Sequence, residues 1–474
     1  MTVARAIAKN VSVQIVGRVI GTIFGLITIA LITRYLGPAG YGDFTTATSY
    51  LQFVGVLVDF GLTLTAVQML SEPDADEPRL LGNLVSLRVL SALVMFAIAP
   101  MVALAIPWSP AVHQAIWVGA ISFVLLALHQ MFVALFQRTM RMELSALAEV
   151  LGRGALLAAT MIVISMHGGL GAVIATLAAG NLVMAAVSLG LAQRLRPFRL
   201  RFERAIITRI VRRSWPMALS IFFNLIYLRG DMIILSLTRS ATEVGLYGAA
   251  YKPLDVITVF PMMFMGLVLP LLVHAWSSAD RERTARLIRR ATDAVSLLAF
   301  PIAAGGIALA TPTIVWLAGE KFAGAGPLLA LLTVAAGCVF FGSLFGHIIV
   351  GIGKQRSMLP IYAADAVASL GLYLWLIPHY GATAAALVTI FSELVIAVGA
   401  GIMVARATGV RMSLRVPSRA LAAAVLMGLA VAFLPGVHVL IRIVIGAALY
   451  GALLIAFGAL SREDVNVILQ RKPV

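Results

Sequence analysis

Arg34-Tyr35-Leu36-Gly37-Pro38-Ala39-Gly40-Tyr41-Gly42 closes one long apolar run and opens the next. About 205 residues later, Arg239-Ser240-Ala241-Thr242-Glu243-Val244-Gly245-Leu246-Tyr247-Gly248 does the same. A second echo sets His167-Gly168-Gly169-Leu170-Gly171-Ala172 against His379-Tyr380-Gly381-Ala382-Thr383-Ala384, shifted by 212. Two echoes at nearly one offset imply two halves of similar build. The Gly37-Pro38 and Gly40 cluster predicts a tight turn, because proline fixes φ and glycine enters regions closed to other residues.

The halves are built for lipid. Of 474 residues, 61% are hydrophobic and only 12% are charged, and mean hydropathy is +1.00. A soluble domain carries roughly twice that charge fraction. A spanning helix needs about 20 apolar residues. Fourteen such runs are read along the chain, the first over 10–34 and the last over 438–459, and no soluble domain fits in the remainder. The first run lacks a small-residue cleavage site behind a short core and is read as retained. Cys338 is the only cysteine, so no internal disulfide forms.

Net charge is +16, and its placement argues against nucleic acid as the partner. With fourteen spans and a cytoplasmic N-terminus, 27 of the 36 Lys and Arg fall in inner segments. Arg34, Arg239 and Lys321 alone are in outer ones, and six lie inside spans. That asymmetry is the positive-inside signature and puts both termini in the cytoplasm. Every outer connection is short, which argues against a membrane glycosyltransferase or polymerase with an outer acceptor domain. No Walker-type loop is present, so transport driven by ATP hydrolysis on this chain is not expected.

Between the halves, 193–213 carries Arg194, Arg196, Arg199, Arg201, Arg204, Arg209, Arg212 and Arg213 among apolar residues. Its second part predicts an amphipathic helix on the inner leaflet; a basic lobe linker, or a surface for a cytoplasmic partner, is the alternative. The expected division is 1–192 as an N-terminal lobe of six spans and 193–213 as linker. A C-terminal lobe of six spans follows at 214–405, then two more helices and a tail at 406–474.

The opening from Asn10 to Arg18, the Arg34-to-Gly42 turn and Asp59-Phe60-Gly61-Leu62 at the end of the second span together resemble the polysaccharide-type flippases. These are the O-antigen and lipid-linked oligosaccharide translocases of the multidrug/oligosaccharidyl-lipid/polysaccharide exporter superfamily. The resemblance covers the whole chain. It implies an all-α polytopic membrane protein with two six-helix lobes in a V around a central cavity, plus two C-terminal helices. It implies alternating access and no enzymatic activity. The implied substrate is an undecaprenyl-pyrophosphate-linked oligosaccharide, moved from the inner to the outer leaflet for exopolysaccharide, capsule or O-antigen export. The implied location is the inner membrane of a bacterium or archaeon. Membrane lipids, a polysaccharide polymerase and export machinery are the expected partners. A drug/cation or lipid II exporter of the same superfamily is the alternative.

Ionisable groups inside spans usually face a cavity or a partner. Arg18, Arg88 and Arg153 lie in spans one, three and five at one depth, roughly 9–14 Å from the inner end at 1.5 Å per residue. A ring of guanidinium forks suits a pyrophosphate. Snorkelling, or a local Glu149–Arg153 pair, is the structural alternative. In the second half, Arg229 and Lys252 are further phosphate candidates. Asp231, Asp255, Asp365 and Glu393 are candidates for a coupling proton or sodium ion; salt bridges without a transport role are the alternative for the first two. No histidine pair has metal-ligand spacing, and no resident metal or other cofactor is expected. Gly17, Gly21 and Gly25 recur every fourth residue and predict a close-packing helix face. Pro253, Pro261 and Pro270 predict a kinked or broken eighth span.

Overall fold

A computed structural model describes residues 3–70, 72 and 76–459; side chains at 3–15, 64 and 216–229 lie outside that description. The described residues are mostly helical, joined by short loops, with no strand among them. By packing they form two compact units, Met1–Gly245 and Leu246–Val474.

The first unit holds α1 (Val3–Asp59), α2 (Leu62–Leu70), α3 (Glu77–Ala103), α4 (Pro110–Arg138), α5 (Met142–Ser165), α6 (Leu170–Leu195), α7 (Arg204–Thr238) and the start of α8 (Ala241–Ile257). The second holds the rest of α8, then α9 (Val259–Ser277), α10 (Arg281–Ala318), α11 (Gly326–Gly351), α12 (Leu359–Thr408), α13 (Arg415–Ala432) and α14 (Val439–Ala456). The sequence repeat groups α7 with the second half; by packing it lies on α1, α2 and α3.

Among the described residues, eleven helical segments are long and apolar enough to cross a membrane. Two of them fold back on themselves, at Gly37 in α1 and Gly381 in α12, both in the positive-φ region that glycine alone enters without strain. Counting each as two and adding α7 gives the fourteen spans read from the sequence. The echoed turns thus take equivalent roles. Gly37 breaks α1 where Ser240 separates α7 from α8, and Gly381 breaks α12 where His167 and Gly168 separate α5 from α6. The proline-rich eighth span is broken at Thr258, between α8 and α9.

Helix starts are set locally. Asp76, Ser109 and Asp280 each accept a hydrogen bond from the backbone N–H three residues on, at 3.2, 3.3 and 2.9 Å. The first unit is cored by Leu51, Phe96, Ile116 and Phe123, and separately by Leu84, Phe132, Phe136 and Phe198. The second is cored by Val295, Phe340, Leu344, Ile348 and Val404. The last two helices extend the second unit: α13 packs on α10, with Gly428 against the Ala304 backbone, and Tyr450 donates to the Leu297 carbonyl at 3.0 Å.

Candidate functional site

The two echoed turns touch. A β-carbon placed on Gly42 would collide with the Ala241 carbonyl oxygen, and one on Gly245 with the Pro38 carbonyl oxygen. The Gly42 N–H nitrogen would be only 2.9 Å from that second β-carbon. Backbone lies on backbone, and only hydrogen fits between. Tyr35 ties in the third turn of this unit by donating to the Gly168 carbonyl at 2.8 Å. The sequence marks these glycines as turn residues, but nothing along a single strip of sequence says that the turns meet.

The Gly17-Gly21-Gly25 face packs on α5, as its spacing predicts. A β-carbon on Gly17 would be 3.0 Å from that of Ala146. At Gly21 it would sit 3.1 Å from Arg153 Cδ, and at Gly25 2.8 Å from Arg153 Nη1. The glycines therefore form a trough in α1 along which the Arg153 side chain lies. Arg153 is otherwise exposed, as is Arg18 on the same helix. These two of the expected three arginines share the α1–α5 pair.

Arg88 has a different setting from Arg18 and Arg153. It is fully buried among α1, α3 and α4. Nη1 forms an ion pair with Asp59 Oδ1 at 2.9 Å, Nε donates to the Ala127 carbonyl at 3.1 Å, and Nη2 donates to Gln130 Oε1 at 2.9 Å. Asp59 also accepts from Thr63 at 2.5 Å. The turn that follows it uses Phe60 at φ +44° and Gly61 at φ +70°. The Asp-Phe-Gly motif is thus a left-handed corner carrying the counter-charge of Arg88. Burial at this depth is tolerable only with a partner for the charge.

Of the remaining basic candidates, the Arg229 side chain lies outside the described residues. Lys252 is half-buried in the second unit, 3.5 Å from Asp255 one turn along α8. This pairing lies within one helix rather than between two.

Among the acidic candidates, Asp231 is buried in the first unit and accepts from the Met232 N–H at 2.7 Å. In the second unit the fold-back of α12 at Gly381 brings Asp365 to Ser392, which donates to it at 2.6 Å; Ser369 lies 3.5 Å from its other oxygen. Glu393 follows Ser392 and is also buried. Asp365 and Ser392 thus form a polar seam, with Tyr373 and Thr389 3.5 Å apart farther along it. Among the described residues, no three His, Cys, Asp or Glu converge in a metal-holding arrangement.

Where α6 ends and α3 begins, residues 196–213 are held by a polar latch. Glu203 pairs with Arg79, whose Nε donates to both carboxylate oxygens at 2.9 Å, and the Glu203 N–H donates to Asn83 at 2.7 Å. The Arg201 N–H donates to Ser86 at 3.1 Å, and Arg196 pairs with Glu77 at 2.8 Å. Glu72 pairs with Arg209 at 2.7 Å and with Arg213. Phe198 is the apolar bolt, tilted on Phe132 with ring centroids 6.0 Å apart. Hydrogen bonding from Arg213 holds the Glu72 carboxyl below its ordinary value; hydrogen bonding from Arg79 does the same for Glu203.

Comparison with known proteins fits this architecture. The profile of the family described as polysaccharide biosynthesis protein matches residues 7–276. The succinoglycan biosynthesis transport protein ExoT of Rhizobium meliloti (strain 1021) is 27% identical over 497 residues, covering 99% of this chain and 97% of that protein. Among solved structures, lipid II flippase MurJ in an inward closed conformation aligns with a TM-score of 0.80 at 13% identity, over 94% of this chain and 98% of that one. An inward-facing multidrug resistance MATE family transporter of the MOP superfamily gives 0.68 at 16% identity, over 82% and 94%. At those identities the likeness is one of fold: the helices are arranged as in MurJ and the MATE transporters, and the chain is a multi-pass membrane protein. With more than half its length matched by the family profile, the chain belongs to the polysaccharide biosynthesis protein family.

Proposed function

We propose that this protein is a flippase that carries a polyprenyl-pyrophosphate-linked oligosaccharide from the inner to the outer leaflet of a bacterial cytoplasmic membrane by alternating access. The observation that carries this reading is the end-to-end match with a protein named for transport in succinoglycan biosynthesis. The basic segments support an orientation with both termini inside.

In this reading Arg153, laid in its glycine trough, and Arg18 meet the pyrophosphate when it enters from the cytoplasmic side, with Arg229 and Lys252 meeting it later in the cycle. Guanidinium groups suit the task because they remain charged at any working pH and grip phosphate oxygens two at a time. Arg88 is assigned to holding the first unit together. Asp365, supported by Ser392, is the leading candidate for a coupling proton or sodium ion, with Glu393, Asp231 and Asp255 behind it. The glycan polymerase and export machinery are the partners that would take up the product outside.

The test is transport of a labelled undecaprenyl-pyrophosphate oligosaccharide in proteoliposomes. Comparing the wild type with Arg18→Ala, Arg153→Ala and Arg229→Ala, flipping collapses in the variants while the protein stays folded. Survival of flipping in all three overturns the cationic site. Failure of the wild type to move any pyrophosphate-linked glycan, alongside movement of lipid II or a cationic drug, overturns the substrate class.

A further inference from the structure

The latch of the first unit uses only one flank of its helix. Taking 100° per residue, Arg209 and Arg213 lie on the side that meets Glu72, and Ile210 and Ser214 are buried against the unit. The opposite flank presents Arg204, Thr208, Val211, Arg212 and Trp215, all exposed, and Leu200 and Phe202 extend it into the preceding strand-like segment. Trp215 is 56% exposed and Phe202 62%. Among the described residues, neither Arg204 nor Arg212 has an ion-pair partner. Beside them an open recess of about 470 Å³ is lined by Ala205, Thr208, Arg209, Arg212 and Arg213.

Exposed aromatic and aliphatic side chains are costly in water, and the arginines interleaved with them would be costly in the hydrocarbon core. They are matched by one environment, the headgroup layer of an anionic leaflet. There the guanidinium groups reach phosphate oxygens, the indole sits at the polar–apolar boundary, and the aliphatic groups reach the acyl chains. The helix runs without interruption into the membrane-crossing part of α7, so its first turns are delivered to that layer by the fold itself.

We infer that the Arg204/Arg212/Trp215 flank, with the adjoining recess, is a binding site for an anionic phospholipid of the inner leaflet, and that the latch exists to present it. The phosphodiester sits in the recess against Arg212 with Arg204 above it, and the acyl chains pass Val211 and Trp215. The site is separate from the residues assigned to the transported lipid and does not depend on that assignment.

The test uses the full-length protein in detergent micelles, with phosphatidylglycerol or phosphatidylcholine of matched chains added in trace amounts and retention read by native mass spectrometry. The wild type retains phosphatidylglycerol in preference, and that preference falls when salt is raised from 50 to 500 mM. Arg204→Gln with Arg212→Gln lowers it about fivefold per arginine removed. Removing the same charge from the second unit, as Arg283→Gln with Arg356→Gln, leaves it in place. A preference unchanged in the first double variant, or lost equally in the second, overturns the site. Displacement of the lipid by millimolar inorganic phosphate also overturns it, because the recess would then be a free-anion site. A headgroup-independent retention that tracks Trp215→Ala alone would show an apolar contact without phosphate recognition, and would sink it as well.

Discussion

Gly245 meets Pro38 with no room for a methyl group between them: a β-carbon on Gly245 would collide with the Pro38 carbonyl oxygen. Gly42 stands in the same relation to Ala241. Two turns that echo each other in sequence are thus pressed together, backbone to backbone.

Gly245→Ala should therefore behave as overpacking, costing about 1–3 kcal/mol. Gly190→Ala, with open space around its β-carbon, should be neutral or slightly stabilising in its helix. Thermal unfolding in detergent separates the two. Equal melting temperatures would show that the turns part easily.

Breaking the Arg88–Asp59 pair leaves one buried charge without its partner. Arg88→Leu and Asp59→Leu alone should each cost about 3–5 kcal/mol, while the double variant should cost much less than their sum. Yield of folded protein and melting temperature for all four members of the cycle would show the coupling. Strict additivity would mean that the pair is not what holds α3 to the end of α1.

Filling the α1 trough should act on transport without touching charge. Gly25→Val places branched carbon where Arg153 Nη1 now rests, so the guanidinium must leave its seat. Flipping by Gly25→Val should fall about as far as in Arg153→Ala, on the order of tenfold or more for a lost charged contact. Normal transport with a displaced arginine would remove Arg153 from the substrate path.

Acid should open the latch. Glu72 and Glu203 are held below the ordinary carboxylate value by Arg213 and Arg79. A depressed carboxylate contributes stability that is fully present above its unfolded value, about 4.3, and is lost as pH falls through its lower folded value. Hydrogen exchange over 197–213, corrected for intrinsic rate, should show protection at pH 6 and its loss on going to pH 3. Glu203→Gln should lose part of that protection already at pH 6. Protection that is flat with pH would assign the hold to Phe198 alone.

Asp365→Asn keeps the shape of the seam and removes the ionisable group. If Asp365 couples transport, the dependence of flipping on a proton or sodium gradient disappears while gradient-free exchange of substrate continues. Ser392→Ala should weaken the same dependence through loss of its 2.6 Å hydrogen bond. A gradient response intact in Asp365→Asn would move the coupling role to Asp231, Asp255 or Glu393.

The reading from sequence succeeds where the signal runs along one helix. The apolar runs, the break at Gly37, the proline-driven break at Thr258 and the glycine face of the first span are all local in period or composition. It falters where the answer depends on how a helix is rotated about its axis. Depth placed Arg88 beside Arg18 and Arg153, but rotation turns it inward to Asp59, a residue that the motif marked only as a family signature. Gly42 and Gly245 show the same limit, since each is a turn glycine on its own strip and their contact exists only between strips. Asp365 and Ser392 are intermediate: both flank the turn at Gly381, and the fold-back there brings them within hydrogen-bond distance, a contact that neither span shows on its own.

The buried pair of Asp59 and Arg88 also sets an order of events during synthesis. Asp59 leaves the ribosome 29 residues before Arg88, an interval of roughly 1.5–6 s at about 5–20 residues per second. Through that interval the second span holds a carboxylate whose partner has not been made. The first two spans cannot settle separately into lipid at full stability. Their full stability comes only with the third span, whose Arg88 supplies the partner of Asp59.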